Sequence, residues 1–227
     1  KSTELGEIMG FKCGIVGLPN VGKSTIFNAI TNAGAESANY PFCTIEPNVG
    51  MVNVPDYRLD KLVEAYHPRS IIPAVTQFVD IAGLVKGASQ GEGLGNQFLT
   101  HIRECEAIME VVRCFEDENI VHVHGSVDPL RDVEIIETEL LLKDLDSVEK
   151  RLVTETKNAR TGGASAKARL EACENLKNAM SEGTPARKML GTSDEMDSLI
   201  SDLALLTAKP VFYCANVGED EMLSGNA

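Results

Sequence analysis

The sequence has no tryptophan and few aromatic residues, and its cysteines form no closely spaced pair. Only 5% of the 227 residues are aromatic, and the six cysteines are scattered without a Cys-x-x-Cys pair. Cysteines within apolar runs behave as small hydrophobic residues, so this pattern argues against a disulfide framework and predicts a cytoplasmic protein. No apolar run approaches the roughly 20 residues that a membrane-spanning helix needs, and we expect no membrane partner.

Basic residues are in a clear minority. Lysine and arginine total 21 against 34 aspartate and glutamate residues, which gives a formal net charge of −13. That charge argues against general nucleic-acid affinity, and we expect no sequence-specific DNA partner, although a local basic patch is compatible with it. The hydrophobic fraction of 43% is ordinary for a globular chain and is enough to bury a sizeable core.

Alternating patterns along the chain predict an α/β fold. Short apolar runs bounded by glycine, proline or asparagine indicate buried strands, and apolar residues at helical spacing indicate helices. The predicted strands are 11–16, 50–54, 74–79, 108–115 and 211–215, and the predicted helices between them are 24–31, 57–66, 97–107 and 193–207. This order predicts a mostly parallel sheet with helices on both faces.

A long helical segment interrupts the alternation. From Asp132 to Leu152 the apolar residues follow helical spacing, and mostly charged residues stand between them. The sequence Thr-Gly-Gly-Ala-Ser at 161–165 breaks this pattern, and apolar residues within 170–180 can line a returning helix. Two such helices joined by a short glycine turn predict an inserted antiparallel helical hairpin of coiled-coil type.

A phosphate-binding loop follows the first predicted strand. Residues 17–24 read Gly-Leu-Pro-Asn-Val-Gly-Lys-Ser, the G-x-x-x-x-G-K-S pattern, between a strand and a helix. The glycines let backbone N–H groups point at phosphate oxygens, and the helix N-terminus adds its positive end. Lys23 can supply charge to the β- and γ-phosphates, which makes it a candidate catalytic residue. The predicted nucleotide-binding residues of this loop are Asn20, Val21, Gly22, Lys23, Ser24 and Thr25.

Oxygen-bearing side chains beside this loop are candidates for binding Mg²⁺. They are the hydroxyls of Ser24 and Thr44 and the carboxylate of Asp80, which begins an Asp-x-x-Gly motif directly after a predicted strand. The N–H of Gly83 in that motif can contact the γ-phosphate, and a Thr44 loop that closes over the nucleotide is a known switching device. A surface turn and a solvated loop threonine are the alternative interpretations.

The residues after the last predicted strand indicate which base is recognised. Asn216-Val217-Gly218-Glu219 stands where GTPases usually carry Asn-Lys-x-Asp, whose aspartate pairs with guanine. Glu219 is one methylene longer than aspartate, so its guanine pairing should be impaired, and adenine offers it no donor at N1. We therefore expect weak guanine preference, with Asn216, Val217 and Glu219 at the base. The alternative is an ordinary turn after a strand.

Together these motifs resemble the Obg-like ATPase family (YchF type), a branch of the translation-factor-related P-loop GTPases. The resemblance runs from Met9 to about Asn216, and its matching segments are 10–25, 39–47, 78–88, 93–99 and 111–116. It implies a P-loop NTPase of the G-domain type, a preference for ATP over GTP, and association with ribosomes or a ribosomal subunit.

The resemblance also implies a domain organisation. Family members usually continue into a C-terminal TGS domain, whereas this sequence stops at Ala227, and we expect a truncated chain. The expected divisions are 1–8 as a lead-in or tag remnant, 9–131 as the first part of a nucleotide-binding G domain, 132–191 as the helical hairpin insertion, and 192–227 as the rest of the G domain.

The group that orients the attacking water is not evident from the motifs. Many GTPases place a glutamine directly after the Asp-x-x-Gly motif, and here that residue is Leu84. The resemblance implies that His122 lies on a loop that can reach the γ-phosphate, while a packing or surface histidine is an equal alternative. Asn20 in the phosphate loop raises a further hypothesis, a K⁺ ion acting where an arginine finger would. We expect slow turnover without a partner.

Three functions are compatible with these motifs. The first is a Mg²⁺-dependent ATPase switch, the second a GTPase of the related Obg type, and the third a non-enzymatic interaction module stabilised by nucleotide. The complete set of Lys23, Ser24, Thr44 and Asp80 favours hydrolysis over mere structural binding.

Overall fold

A five-stranded sheet organises the computed structural model, which describes residues 11–34, 48–81 and 94–222. The strands are β1 (Phe11–Val16), β2 (Val49–Asn53), β3 (Val75–Asp80), β4 (Ala107–Arg113) and β5 (Val211–Asn216). Their order across the sheet is β2-β3-β1-β4-β5, and every neighbouring pair is parallel except β2 with β3. The predicted α/β class with a mostly parallel sheet is confirmed.

The central position of β1 determines where a ligand site can form. Ile15 of β1 pairs with Asp80 of β3, and Val16 pairs with Glu110 of β4. After β1 the chain continues to β2 and β3, which lie on one side of β1 in the sheet. After β4 it continues to β5, which lies on the other side. The carboxyl ends of β1 and β4 therefore flank a topological switch point, where open α/β sheets bind their ligands.

Helices accompany the sheet and extend beyond it. They are α1 (Lys23–Gly34), α2 (Tyr57–Tyr66), α3 (Leu94–Arg103), α4 (Pro129–Thr161), α5 (Ala164–Ser181) and α6 (Asp194–Leu203). The start of α4 follows from sequence, because the Asp128 side chain accepts the Arg131 N–H at 3.1 Å and Pro129 opens the first turn. In the part of the chain that the structure describes, no helix is both long and apolar enough to cross a membrane.

Two hydrophobic cores share the long helix α4. The sheet core takes Ile136 and Leu140 from the beginning of α4. The second core takes Val148 from further along the helix, and the buried residues around it are Ala172, Cys173, Leu176, Met180, Ala186, Met196, Leu199, Ile200 and Leu205. Since only Gly162 and Gly163 separate α4 from α5, the two helices form the predicted antiparallel hairpin. The domain boundaries expected from the resemblance stay a prediction.

Two predicted helices end earlier than expected, and the helix expected at 24–31 extends to Gly34. The helix expected at 97–107 ends at Arg103, because Ala107 pairs with Cys13 as the first residue of β4. The helix expected at 193–207 ends at Leu203, where a tertiary contact replaces the helical pattern.

That contact is made by the buried carboxylate of Asp144 in α4. It accepts the backbone N–H groups of Leu206 and Thr207 at 2.9 and 2.7 Å and the Thr207 hydroxyl at 2.7 Å. The Thr207 Oγ1 atom accepts the N–H of Ala186 at 3.0 Å. These bonds hold the segment that leads into β5 against α4, and a helix through Leu206 would have to give them up.

Glu110 is a buried acidic side chain in the middle of β4. Its exposed fraction is 2%, and among the described residues its Oε1 atom has no hydrogen-bond partner. The pKa of the Glu110 carboxyl is raised to about 8, mainly by burial and in addition by the nearby Glu137, while Arg187 opposes the rise. The carboxyl is therefore largely protonated at neutral pH.

Glu110 should make folding stability depend on pH. The pKa of Glu110 is higher in the folded chain than the ordinary 4.5. The contribution of Glu110 to folding stability is therefore fully present below about pH 4.5 and is lost as the pH rises through about 8. The neutral variant Glu110→Gln should lack this loss. Relative to wild type it should gain about 3 kcal/mol in free energy of unfolding between about pH 5 and pH 8, measured by denaturant titration.

The matched control for this prediction is Glu149→Gln, at an exposed site where the carboxylate pairs with Lys177 at 3.2 Å. Its stability should follow wild type within about 1 kcal/mol over the same pH range. Parallel pH curves for wild type and Glu110→Gln would contradict the burial of an ionisable group at this position.

Candidate functional site

The phosphate-binding loop joins β1 to α1 in a conformation that few side chains permit. Asn20 and Gly22 have φ values of 62° and 96°, both in the left-handed region. A Cβ atom on Gly22 would lie 2.3 Å from Nδ2 of Asn216, so glycine is required there by space as well as by backbone angle. The N-terminus of α1 follows directly, and its unpaired N–H groups and dipole favour an anion.

Lys23 is buried within this loop. Its exposed fraction is 8%, and its Nζ atom donates to the Leu18 carbonyl at 2.8 Å. Burial lowers the pKa of the Lys23 ammonium below its usual value, while the neighbouring Asp80 carboxylate opposes that shift. The Lys23 ammonium is thus hydrogen-bonded to a neutral carbonyl of its own loop. A negatively charged phosphate oxygen would be a stronger partner and could replace that carbonyl.

Ser24 and Asp80 meet beside the lysine. The Ser24 hydroxyl donates to Oδ2 of Asp80 at 2.9 Å, and this contact joins the first turn of α1 to the end of β3. The other oxygen, Oδ1, is buried, and it has no hydrogen-bond partner among the described residues. A buried carboxylate oxygen without a donor is costly unless a cation binds it.

This pair fits a Mg²⁺ ion that is completed by phosphate oxygens and water. Magnesium takes oxygen ligands and is commonly held by one or two protein groups together with substrate phosphates. Within residues 11–34, 48–81 and 94–222, no cluster of three or more His, Cys, Asp or Glu side chains is arranged to hold a metal alone. A site of one hydroxyl and one carboxylate is consistent with that finding, because the remaining ligands of the ion would come from the phosphates of a nucleotide and from water.

Asn216 ties the predicted base-reading segment to the phosphate loop. Its Nδ2 atom donates to the Val21 carbonyl at 2.9 Å, from the carboxyl end of β5. Val217 is half-buried, and the exposed Glu219 begins a 3-10 turn at Glu219–Glu221. Asn216 therefore contacts the phosphate loop from the end of β5, and Glu219 follows it in the next turn; their predicted role in reading the base stays a prediction.

The loop after β4 also contributes to the site. The Asn20 side chain donates from Nδ2 to the Val121 carbonyl at 3.1 Å, so this loop contacts the phosphate loop directly. Two residues that matter here escaped the sequence analysis, the buried Arg113 and Asp132. In the sequence, Arg113 is only a charged residue at a strand end, and Asp132 is only a charged residue beside apolar helix positions. Charged residues in such places are usually exposed to solvent.

His122 is buried beside that contact. Its exposed fraction is 6%, its Nε2 atom lies 2.7 Å from Oδ2 of Asp132, and its Nδ1 atom accepts the His124 N–H at 3.2 Å. Since Nδ1 is an acceptor, the neutral ring carries its proton on Nε2 and donates it to the carboxylate. His122 directly follows Val121, whose carbonyl accepts from Asn20, and both ring nitrogens of His122 are hydrogen-bonded within this chain.

Three residues singled out from the sequence lie outside the described residues: Thr44, Gly83 and Leu84. Thr25 is exposed in the first turn of α1. The structure therefore brings together Asn20, Val21, Gly22, Lys23, Ser24, Asp80 and Asn216 around one loop.

The fold and this constellation define a P-loop nucleotide-binding protein with G-domain-like strand topology. A family model described as "50S ribosome-binding GTPase" matches residues 12–153. The chain belongs to this family.

Named relatives place it further within the family. The chain is 56% identical to the "Ribosome-binding ATPase YchF" of Bacillus subtilis (strain 168), over 96% of this chain and 60% of that protein. It is 57% identical to the protein of the same name from Escherichia coli O157:H7, over 93% of this chain and 58% of that protein. The resemblance to the YchF type of Obg-like ATPases is confirmed.

A solved structure agrees with this fold. The "Structure of the Schizosaccharomyces pombe YchF GTPase" matches with a TM-score of 0.80 and 46% identity, over 95% of this chain and 58% of that chain. The chain thus spans about 60% of the length of the relatives it matches.

The crowded glycine of the phosphate loop gives a direct test of this geometry. Gly22→Ala should weaken binding of a fluorescent nucleoside triphosphate about tenfold or more, because its Cβ displaces Asn216 and strains a φ of 96°. The control is Gly191→Ala, whose φ is 79° and whose Cβ would meet nothing within 4 Å. It should lose about 1 kcal/mol of stability and keep its affinity. Equal affinities for both variants would contradict the requirement for glycine at this position of the loop.

Proposed function

We propose that this chain binds ATP together with Mg²⁺ and hydrolyses it, and that the nucleotide state is sensed by a ribosomal partner. The observation that carries this proposal is the Ser24–Asp80 pair beside the buried Lys23. A glycine turn that only linked a strand to a helix would need neither a buried ammonium nor a buried carboxylate oxygen without a donor.

Phosphate binding divides between backbone and side chains. The N–H groups of the curled loop and the first turn of α1 face the phosphates, and Lys23 exchanges its Leu18 carbonyl partner for a γ-phosphate oxygen. The Gly83 N–H, in the segment that follows β3, is the proposed additional donor to the γ-phosphate. These fixed donors stabilise charge that develops on the transferred phosphoryl group.

Ser24 and Asp80 are the proposed protein groups for Mg²⁺, with Thr44 as a third. A bound Mg²⁺ neutralises phosphate charge during transfer. The protein's contribution is to hold the Asp80 carboxylate by its Oδ2 bond to Ser24 while Oδ1 is left for the ion.

Base preference is proposed to favour ATP over GTP. One N–H of the Asn216 amide is used on the Val21 carbonyl, and the Oδ1 atom of that amide is an acceptor that suits the adenine amino group. Val217 and Glu219 replace the lysine and aspartate with which GTPases read guanine. The relatives named ATPase agree with this proposal.

A GTPase of the related Obg type is the second candidate function. It is supported by the description of the matching family model and by the name of the fission-yeast relative, both of which say GTPase. A nucleotide-stabilised interaction module is the third, and it predicts binding without turnover.

The ribosome is the proposed partner, and the cytoplasm the proposed location, because the relatives in two bacteria are named ribosome-binding. With a net charge of −13, this chain is proposed to reach such a partner through local contacts rather than through its overall charge.

Nucleotide competition tests the substrate and Lys23 together. Calorimetry with ATP and GTP should show tighter binding of ATP, and Lys23→Ala should lose measurable binding of both, because the buried charge that faces the phosphates is gone. The control is Lys12→Ala, which removes a surface lysine that pairs with Glu104 at 3.3 Å. It should bind both nucleotides like wild type. Tighter binding of GTP would favour the second candidate function.

His122 is the proposed water-orienting residue, a role in which one ring nitrogen would exchange its Asp132 or His124 partner for the water. Its test separates chemistry from packing. In steady-state assays His122→Ala should lower kcat about 100-fold with little change in ATP affinity. His124→Ala is the matched control, because that ring stands 6.1 Å from the His122 ring. Its kcat should stay within about threefold of wild type. A basal rate that survives His122→Ala would remove this histidine from the mechanism.

A further inference from the structure

Arg113 is the most enclosed charged side chain at the site, with an exposed fraction of 1%. Its guanidinium donates to three backbone carbonyls of the loop that follows β4, through Nε to Phe115 at 3.0 Å, Nη1 to Ile120 at 2.9 Å and Nη2 to Asp117 at 3.2 Å. The Phe115 ring covers the guanidinium at 4.7 Å. One buried cation therefore gathers the loop around itself.

This arrangement depends on the shape of the guanidinium as well as on its charge. The three acceptors lie around a planar fork whose donors point in fixed and different directions. A lysine ammonium at the same place would be a point charge on a longer stem and could not serve the three carbonyls in that geometry. The carbonyls would then lose buried partners.

Three successive residues of the loop that Arg113 gathers are held by side chains from outside it, and the middle one contacts the phosphate loop. The Ile120 carbonyl accepts from Arg113, the Val121 carbonyl accepts from Asn20 of the phosphate loop, and the His122 ring bonds to Asp132. Displacement at Ile120 would therefore move both the contact with the phosphate loop and the histidine.

Arg113 is connected to the phosphate loop from the other side as well. It pairs with Asn216 in the β4–β5 register, and Asn216 donates to the Val21 carbonyl at 2.9 Å. Arg113 is thus linked to both contacts of the phosphate loop, Asn20 with Val121 and Asn216 with Val21. The guanidinium itself donates only to backbone carbonyls within 115–120.

We propose that Arg113 is a positioning residue for nucleotide hydrolysis, which holds the 114–124 segment so that Asn20 and His122 keep their places beside the phosphate-binding loop. This inference rests on the proposed function. It assigns Arg113 an effect on turnover rather than on nucleotide affinity, because the phosphate contacts of Lys23 and Ser24 do not pass through the segment.

The test compares Arg113→Lys and Arg113→Met with wild type in ATP turnover, ATP affinity and backbone hydrogen exchange. Arg113→Lys should lower kcat about tenfold or more while the Kd for ATP stays within about twofold, and exchange should quicken across 114–124. Arg113→Met, which keeps the stem without the charge, should lower kcat at least as far. Arg151→Lys, which alters an arginine 3.5 Å from Glu155 in the helical hairpin, is the control and should match wild type.

Each outcome decides the proposal. An unchanged kcat in Arg113→Lys overturns it, and so does a loss of affinity with kcat retained, since the segment would then serve binding. If Arg113→Met does not fold, Arg113→Lys decides alone. If the wild-type chain itself shows no turnover, the proposed function fails, and hydrogen exchange decides Arg113: unchanged exchange across 114–124 in Arg113→Lys would show that the arginine does not hold the segment.

Discussion

The hydrogen bond between Ser24 and Asp80 is the contact on which the site depends. It forms because β1 pairs in parallel with β3 so that Ile15 stands opposite Asp80, and the loop that leaves β1 returns at Ser24 to meet the end of β3. Neither residue would find the other if the strands slipped, since a slip of one residue would turn Asp80 to the opposite face of the sheet. The register of the core thus decides whether a metal-compatible pair exists.

Buried charges recur in the fold, and each one holds a segment in place. Lys23 fills the curl of its own loop, Arg113 gathers the segment after β4, and Asp144 fastens the turn before β5 to α4. A buried charge is costly unless hydrogen bonds satisfy it, and these three are satisfied mainly by backbone groups. Because a backbone partner depends on the local conformation, each charge stabilises one loop geometry over its alternatives.

Much of the fold followed from sequence, and the departures have physical causes. The helix Tyr57–Tyr66 and the strand Phe11–Val16 have the predicted bounds, because local spacing and end signals determine them. The helix expected through residue 207 ended early because the carboxylate of Asp144, more than sixty residues away along the chain, captures its backbone. At the site, the phosphate loop was readable because its residues are contiguous. The roles of Arg113 and Asp132 were not, because they arise from contacts across the fold.

We propose that Ser24 and Asp80 form a magnesium site that only a bound nucleotide completes, and a magnesium titration of ATP binding tests this directly. Wild type should bind ATP more tightly as Mg²⁺ is added, by about tenfold or more. Asp80→Asn and Ser24→Ala should keep the affinity seen without Mg²⁺ and lose the increase, while the surface variant Asp146→Asn should retain it. An increase that survives in Asp80→Asn would contradict the account, because the ion would then be bound without the carboxylate that β3 delivers to the loop.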